Sequence, residues 1–124
     1  MIVPMAPPVL IVDDDPGFRR LAERMIKSIG MTVVGQAEDA KAAIAAANEL
    51  KPQAALVDVG LPDRDGIDLA HQLAALPWRP RVVLISSDPD AASLARGRAD
   101  SQELPFVAKE DLPTAPLRRL LTTE

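Results

Sequence analysis

Asp13 and Asp14, Asp58, Ser86 and Ser87, and Lys109 each stand where a short aliphatic run ends. Carboxylates, hydroxyls and a lysine so placed suit phosphoryl transfer, which needs positive charge for the phosphoryl oxygens and an in-line nucleophile. A carboxylate can itself be that nucleophile. Asp58 is the better candidate because it stands alone after "QAALV", whereas Asp13 and Asp14 are paired. Like charges crowded at the edge of a buried sheet repel one another, and a hard divalent cation among them would make the arrangement tolerable. Magnesium fits, since it takes oxygen ligands, retains waters and is commonly held by one or two carboxylates together with phosphate.

The elements that must position these residues are legible in the apolar pattern. "VLIVD" at 9–13 reads as a strand buried on both faces, and Asp15 followed by Pro16 reads as an N-cap and first helical residue. A helical stripe of Phe18, Leu21, Ala22, Met25, Ile26 and Ile29 follows, with Gly30 as its stop. "MTVVGQAE" is a second strand, and Asp39 caps the helix "AKAAIAAANEL", which ends before Pro52. "QAALVD" is the third strand. After the turn "GLPDRDG", to which Asp63 and Asp65 are assigned, "IDLAHQLAAL" puts Leu69, Ala70, Leu73 and Leu76 on one helical face. "RVVLISS" is the fourth strand, "DAASLARGRAD" a weak fourth helical segment and "PFVAK" a short fifth strand. Thr114 is the expected N-cap of a last helix in "TAPLRRLLTTE". Strands alternating with helices imply an α/β domain with a doubly wound, five-stranded parallel sheet. In such sheets functional residues lie beyond the carboxyl ends of the strands, which is where every candidate above falls.

Composition narrows the classes. With 124 residues the chain has the size of one domain, and a single domain over 1–124 with a core from about 9 to 121 is expected. Fourteen basic residues stand against 18 acidic ones, with no basic run beyond Arg19-Arg20 and Arg118-Arg119, so the electrostatic footprint of a nucleic-acid binder is missing. The absence of cysteine excludes disulfides and thiolate chemistry. "MIVPMAPPVL" has neither the basic start nor the unbroken apolar core of a signal peptide, and no apolar run approaches the roughly 20 residues of a membrane span. A cytoplasmic protein that engages no membrane is expected. His71, the single histidine, falls on a helix away from the strand ends and reads as a rim residue, and Trp78 reads as a cap on the edge of the core.

Taken together, the acid pair Asp13 and Asp14, Asp58 in "LVDVGLPDRDG", Ser86, Phe106 and Lys109 resemble the functional set of response-regulator receiver domains, the phospho-accepting half of two-component signalling. The resemblance runs from about Val9 to about Leu121. It implies the flavodoxin-like strand order 2-1-3-4-5. It further implies that Asp14, Asp58 and the main-chain carbonyl of Gly60 bind Mg2+, with Asp13 acting through water. Asp58 would take a phosphoryl group from the phosphohistidine of a sensor histidine kinase or phosphotransfer protein. Lys109 would balance charge on the phosphoryl oxygens, and Ser86 would donate a hydrogen bond to one of them. Ser86 and Phe106 would form the switch, resetting the surface of the fourth helix, fifth strand and fifth helix for an output protein. The chain would not be an enzyme beyond slow self-dephosphorylation.

Two departures accompany the resemblance. Glu110 follows Lys109 where the family usually has proline after a cis peptide, and a cis bond before a non-proline costs about 2.5–4 kcal/mol, so a trans bond or a strained exception is expected. The segment "RGRADSQELPF" lacks the family's small-residue pattern and leaves Leu94 as the single large apolar anchor of the fourth helix, so an atypical partner surface is expected. The alternatives are a phosphorylation-independent interaction domain on the same fold, and a magnesium-dependent aspartyl-phosphate phosphatase. The second generally wants an acid two residues after the nucleophile, and Gly60 stands there.

Overall fold

The computed structural model describes residues 7–88, 90 and 104–122. Its elements are strand β1 (Pro8–Val12), helix α1 (Pro16–Ser28), β2 (Thr32–Ala37), α2 (Ala40–Leu50), β3 (Ala54–Asp58), α3 (Gly66–Ala74), β4 (Arg81–Ser86) and β5 (Phe106–Ala108). A 3-10 helix (Lys109–Thr114) and a C-terminal helix (Leu117–Leu121) complete the order. The expected fourth helical segment, with Leu94, lies outside the described residues.

Every strand pairing is parallel, and the order is β2-β1-β3-β4-β5, as the flavodoxin-like reading requires. Alternation along the strands divides the core in two. Val9, Ile11, Ala54, Leu56, Val83, Ile85 and Val107 meet α1 and the C-terminal segment. Leu10, Val12, Ala55, Val57, Val82 and Leu84 meet α2 and α3. Both faces of β1 and β3 are therefore dry, which is why these strands read as unbroken aliphatic runs. Each buried Leu, Ile or Val contributes about 1.5–3 kcal/mol, and the central strands carry the greatest density of them.

Local signals set the helix ends. The Asp15 carboxylate accepts from Gly17 N–H (2.9 Å) at the start of α1, and Asp39 accepts from Ala42 N–H (2.8 Å) at the start of α2. Gly30 adopts φ +84° and stops α1, with the Gly30 and Met31 N–H groups returning to the Lys27 and Ile26 carbonyls. Of the expected α1 stripe, Phe18, Ala22 and Ile26 are buried and Met25 and Ile29 pack beside them, whereas Leu21 is 45% exposed. The buried stripe is therefore narrower than its apolar lettering.

Two further expectations are corrected. Thr114 is not the N-cap of the last helix: it closes the 3-10 helix and its hydroxyl donates to the Asp111 carbonyl, while Pro116 precedes Leu117 without a side-chain cap. The turn assignment of Asp63 and Asp65 is too modest. Asp65 caps α3 by accepting from Ile67 N–H (2.8 Å), and Asp63 reaches α2. Among the described residues no peptide is cis, so the bond after Lys109 is trans as expected. No helix among them is long and apolar enough to cross a membrane.

Candidate functional site

Register brings the acids together. Val12 pairs with Val57 across β1 and β3, so Asp13 and Asp58 emerge side by side where the chain reverses its direction of travel across the sheet. Asp58 pairs with Ile85 of β4, and Ser86 pairs with Ala108 of β5, immediately before Lys109.

The three consecutive acids have separate settings. Asp13 is fully buried: its N–H donates to the Ala37 carbonyl (2.9 Å), its Oδ1 accepts from Asp15 N–H (2.8 Å), and its carbonyl accepts from Arg19 Nη1 (2.6 Å). Asp14 is exposed, and Asp15 is spent on the helix cap. Lys109 Nζ lies 2.6 Å from Asp13 Oδ2 and 3.8 Å from Asp58 Oδ1. Burial pushes the Asp58 carboxyl above its ordinary range, and the Asp13 charge pushes in the same direction. The Lys109 ammonium and a backbone hydrogen bond from Gly60 pull it back only in part.

Asp13, Asp14 and Asp58 each offer a carboxylate oxygen within 4.8 Å of the others, and among the described residues this is the group able to hold a metal ion. An all-oxygen donor set suits a hard cation such as magnesium rather than zinc or copper. Asp13 Oδ2 favours the same fit, since it is sealed from solvent and has the ammonium as charge partner but no well-aligned hydrogen-bond donor. Removing charged oxygens from water is costly unless opposite charge and hydrogen bonds compensate. Here two buried carboxylates share one ammonium, so further positive charge is accommodated.

Ser86 is buried, and its Oγ accepts from Asp88 N–H (2.9 Å), which leaves its own hydrogen to donate elsewhere. Phe106 is half-buried with Leu104 on the α2–α3 side of the sheet. Gly60 adjoins the site, a Cβ there lying 3.9 Å from Asp58 Oδ2. Trp78 sits at the opposite end of β3, donating from Nε1 to the Pro52 carbonyl (2.8 Å).

Three contributors escape the sequence reading. Gly66 starts α3 against the end of β3: a Cβ there would stand 2.7 Å from Val59 Cα and closer still to the Asp58 carbonyl oxygen. Asp63 accepts from the Ala40 and Lys41 N–H groups (2.9 and 3.2 Å), binding the loop after Asp58 to the start of α2 and lowering its own pKa. Phe18, read only as core, places its ring centroid 4.3 Å from Lys109 Nζ. The acid and glycine letters of "PDRDG" hint at the first two, and nothing in the local sequence marks the third.

Known proteins share this arrangement of elements. The family model described as the response regulator receiver domain matches residues 9–110. The transcriptional regulatory protein PdtaR of Mycobacterium tuberculosis is 34% identical over 112 residues, 88% of this chain and 55% of that protein. Among solved structures, the signal receiver domain of the response regulator NarL from Mycobacterium tuberculosis is 28% identical, with a TM-score of 0.72 over 95% of this chain and 92% of that one. The signal receiver domain of a modulated diguanylate cyclase from Desulfovibrio desulfuricans G20 is 30% identical, with a TM-score of 0.72 over 93% and 90%. The chain spans about half the length of the first curated relatives it matches. Sequence match, strand order and the acid cluster at the β1–β3 edge agree, and the chain belongs to the response regulator receiver domain family of two-component systems.

Proposed function

We propose that Asp58 is the phospho-acceptor of a two-component relay, taking a phosphoryl group from the phosphohistidine of a sensor histidine kinase or phosphotransfer protein in the cytoplasm. The observation that carries this reading is the Asp58 carboxylate at the end of β3, beside two further acids and 3.8 Å from the Lys109 ammonium. An Asp58 carboxylate oxygen attacks phosphorus as the phosphorus–nitrogen bond to the donor imidazole breaks, leaving an acyl phosphate on Asp58. Asp14, Asp58 and the Gly60 carbonyl would hold Mg2+, with Asp13 acting through water. When bound, the cation supplies positive charge for the phosphoryl oxygens. Lys109 adds a point charge to the same oxygens, and the Ser86 hydroxyl donates to one of them while still accepting from Asp88.

The switch follows from that last contact. Ser86 drawn toward the phosphoryl group vacates space beside β5 into which Phe106 turns, shifting the conformers of the face that includes β5 and the C-terminal helix. An output protein reads that face. The named relatives include a transcriptional regulatory protein and a modulated diguanylate cyclase, so what they share is the receiver and not the output. The chain is thus the substrate of a kinase and a switch, with only slow loss of its own phosphoryl group.

Incubation with Mg2+ and acetyl phosphate, followed by intact-mass measurement, tests the reading. A single persistent adduct that disappears in Asp58→Asn is expected. Absence of adduct at every donor concentration would favour a phosphorylation-independent interaction domain, and rapid multiple turnover of the donor would favour a phosphatase.

A further inference from the structure

Lys109 and Phe18 come from opposite ends of the chain, yet the ammonium lies over the ring face at 4.3 Å from its centroid. Phe18 is 9% exposed and belongs to the core cluster on the α1 side, so packing holds its ring in place. Lys109 stands where β5 passes into the 3-10 helix, with its side chain 17% exposed. Its other partners are the anions Asp13, at 2.6 Å, and Asp58, at 3.8 Å. We propose that Phe18 is a positioning residue for Lys109, its ring face holding the ammonium beside Asp58 independently of the carboxylates.

The need for such a holder follows from the charges. A divalent cation among Asp13, Asp14 and Asp58 neutralises the anions that attract Lys109 and repels the ammonium itself. The aromatic face attracts the ammonium through its quadrupole, and a hard cation seeking oxygen ligands does not compete for it. Phe18 thereby keeps Lys109 within reach of the Asp58 oxygens when the acids are otherwise engaged. An aliphatic residue fills the same core volume but offers the ammonium nothing in return. The inference rests on Asp58 being the phospho-acceptor only for its kinetic consequence, since the contact itself is a geometric claim.

Site-specific replacement of Phe18 by progressively fluorinated phenylalanines preserves the ring's approximate shape while weakening its quadrupole, and Phe18→Leu removes the ring. At saturating Mg2+, the rate of adduct formation from acetyl phosphate is expected to fall stepwise with fluorination, by about five- to tenfold at full substitution. The thermal midpoint is not expected to follow that series, which separates positioning from packing. The NMR signals of the Lys109 ε-protons are expected upfield in the Mg2+-loaded wild type and at ordinary lysine positions in Phe18→Leu. Equal rates across the fluorinated series, or Lys109 ε-protons without a ring shift in Mg2+, would overturn the proposal. If the wild-type protein forms no adduct, the phospho-acceptor reading fails by itself, and the Lys109 shift alone decides for or against Phe18.

Discussion

Burial is the first reason that Asp58 resists ionisation, and the neighbouring Asp13 charge is the second. A carboxyl whose pKa is raised on folding stabilises the fold fully below its ordinary value of 3.8 and loses that contribution as pH rises through the higher folded value. Without metal, the cost of ionising Asp58 therefore works against the fold as pH rises above its ordinary range. Asp58→Asn is expected to raise the denaturation midpoint at neutral pH in EDTA, with the advantage over wild type closing below about pH 4. Added Mg2+ should narrow the gap by stabilising the wild type selectively. The adjacent acids give a sharper contrast. Asp14→Asn should weaken Mg2+ binding and phosphorylation, while Asp15→Asn, still a good cap, should leave both nearly unchanged. Asp15→Ala should cost about 1 kcal/mol of stability in urea melts without altering Mg2+ affinity. Asp13, Asp14, Asp58 and Lys109 could be located from sequence because each follows an aliphatic run whose register the parallel sheet then fixes. Phe18 could not, since its helical spacing announces only a core position.

At the scale of elements, the loop from Val59 to Asp65 is tied at both ends. Gly66 N–H donates to the Val59 carbonyl, Gly60 bridges to Asp65, and Asp63 holds the start of α2. Gly66→Ala drives a methyl group into the backbone of Asp58 and Val59, where no flexible side chain can yield. A loss of about 2–3 kcal/mol in denaturant melts is expected, accompanied by weaker Mg2+ binding because Asp58 itself must shift. Asp63 titrates in the opposite sense to Asp58. Its pKa is lowered chiefly by the hydrogen bond from Ala40 N–H, so its contribution is present above the ordinary carboxylate value and lost as pH falls through the folded one. Asp63→Ala should therefore lower the melting midpoint at neutral pH and converge with wild type in acid. Caps within one segment, such as Asp15 and Asp39, were legible because donor and acceptor are two or three residues apart. The Asp63 bond spans 23 residues and exists only once β3 and α2 are packed. Thr114 shows the opposite error, a good cap residue captured by a 3-10 turn after β5.

For the whole molecule, the governing feature is the point where β2 and β3 depart to opposite sides of β1. The doubly wound order places the ends of β1 and β3 together there, with β4 and β5 delivering Ser86 and Lys109 to the same edge. The alternation of strands and helices pointed to a doubly wound parallel sheet, and the family resemblance carried by the site residues supplied its strand order. Trp78, at the far end of β3, is poorly placed to report events at Asp58, so chemistry at the site is better read by mass than by fluorescence. The most direct test is to treat the protein with Mg2+ and acetyl phosphate, reduce any acyl phosphate with borohydride, and map the resulting homoserine by peptide mass spectrometry. Homoserine at position 58 alone, dependent on Mg2+, is the expected result. Homoserine at Asp13, Asp14 or Asp63, or none under conditions that saturate with metal and donor, would contradict it.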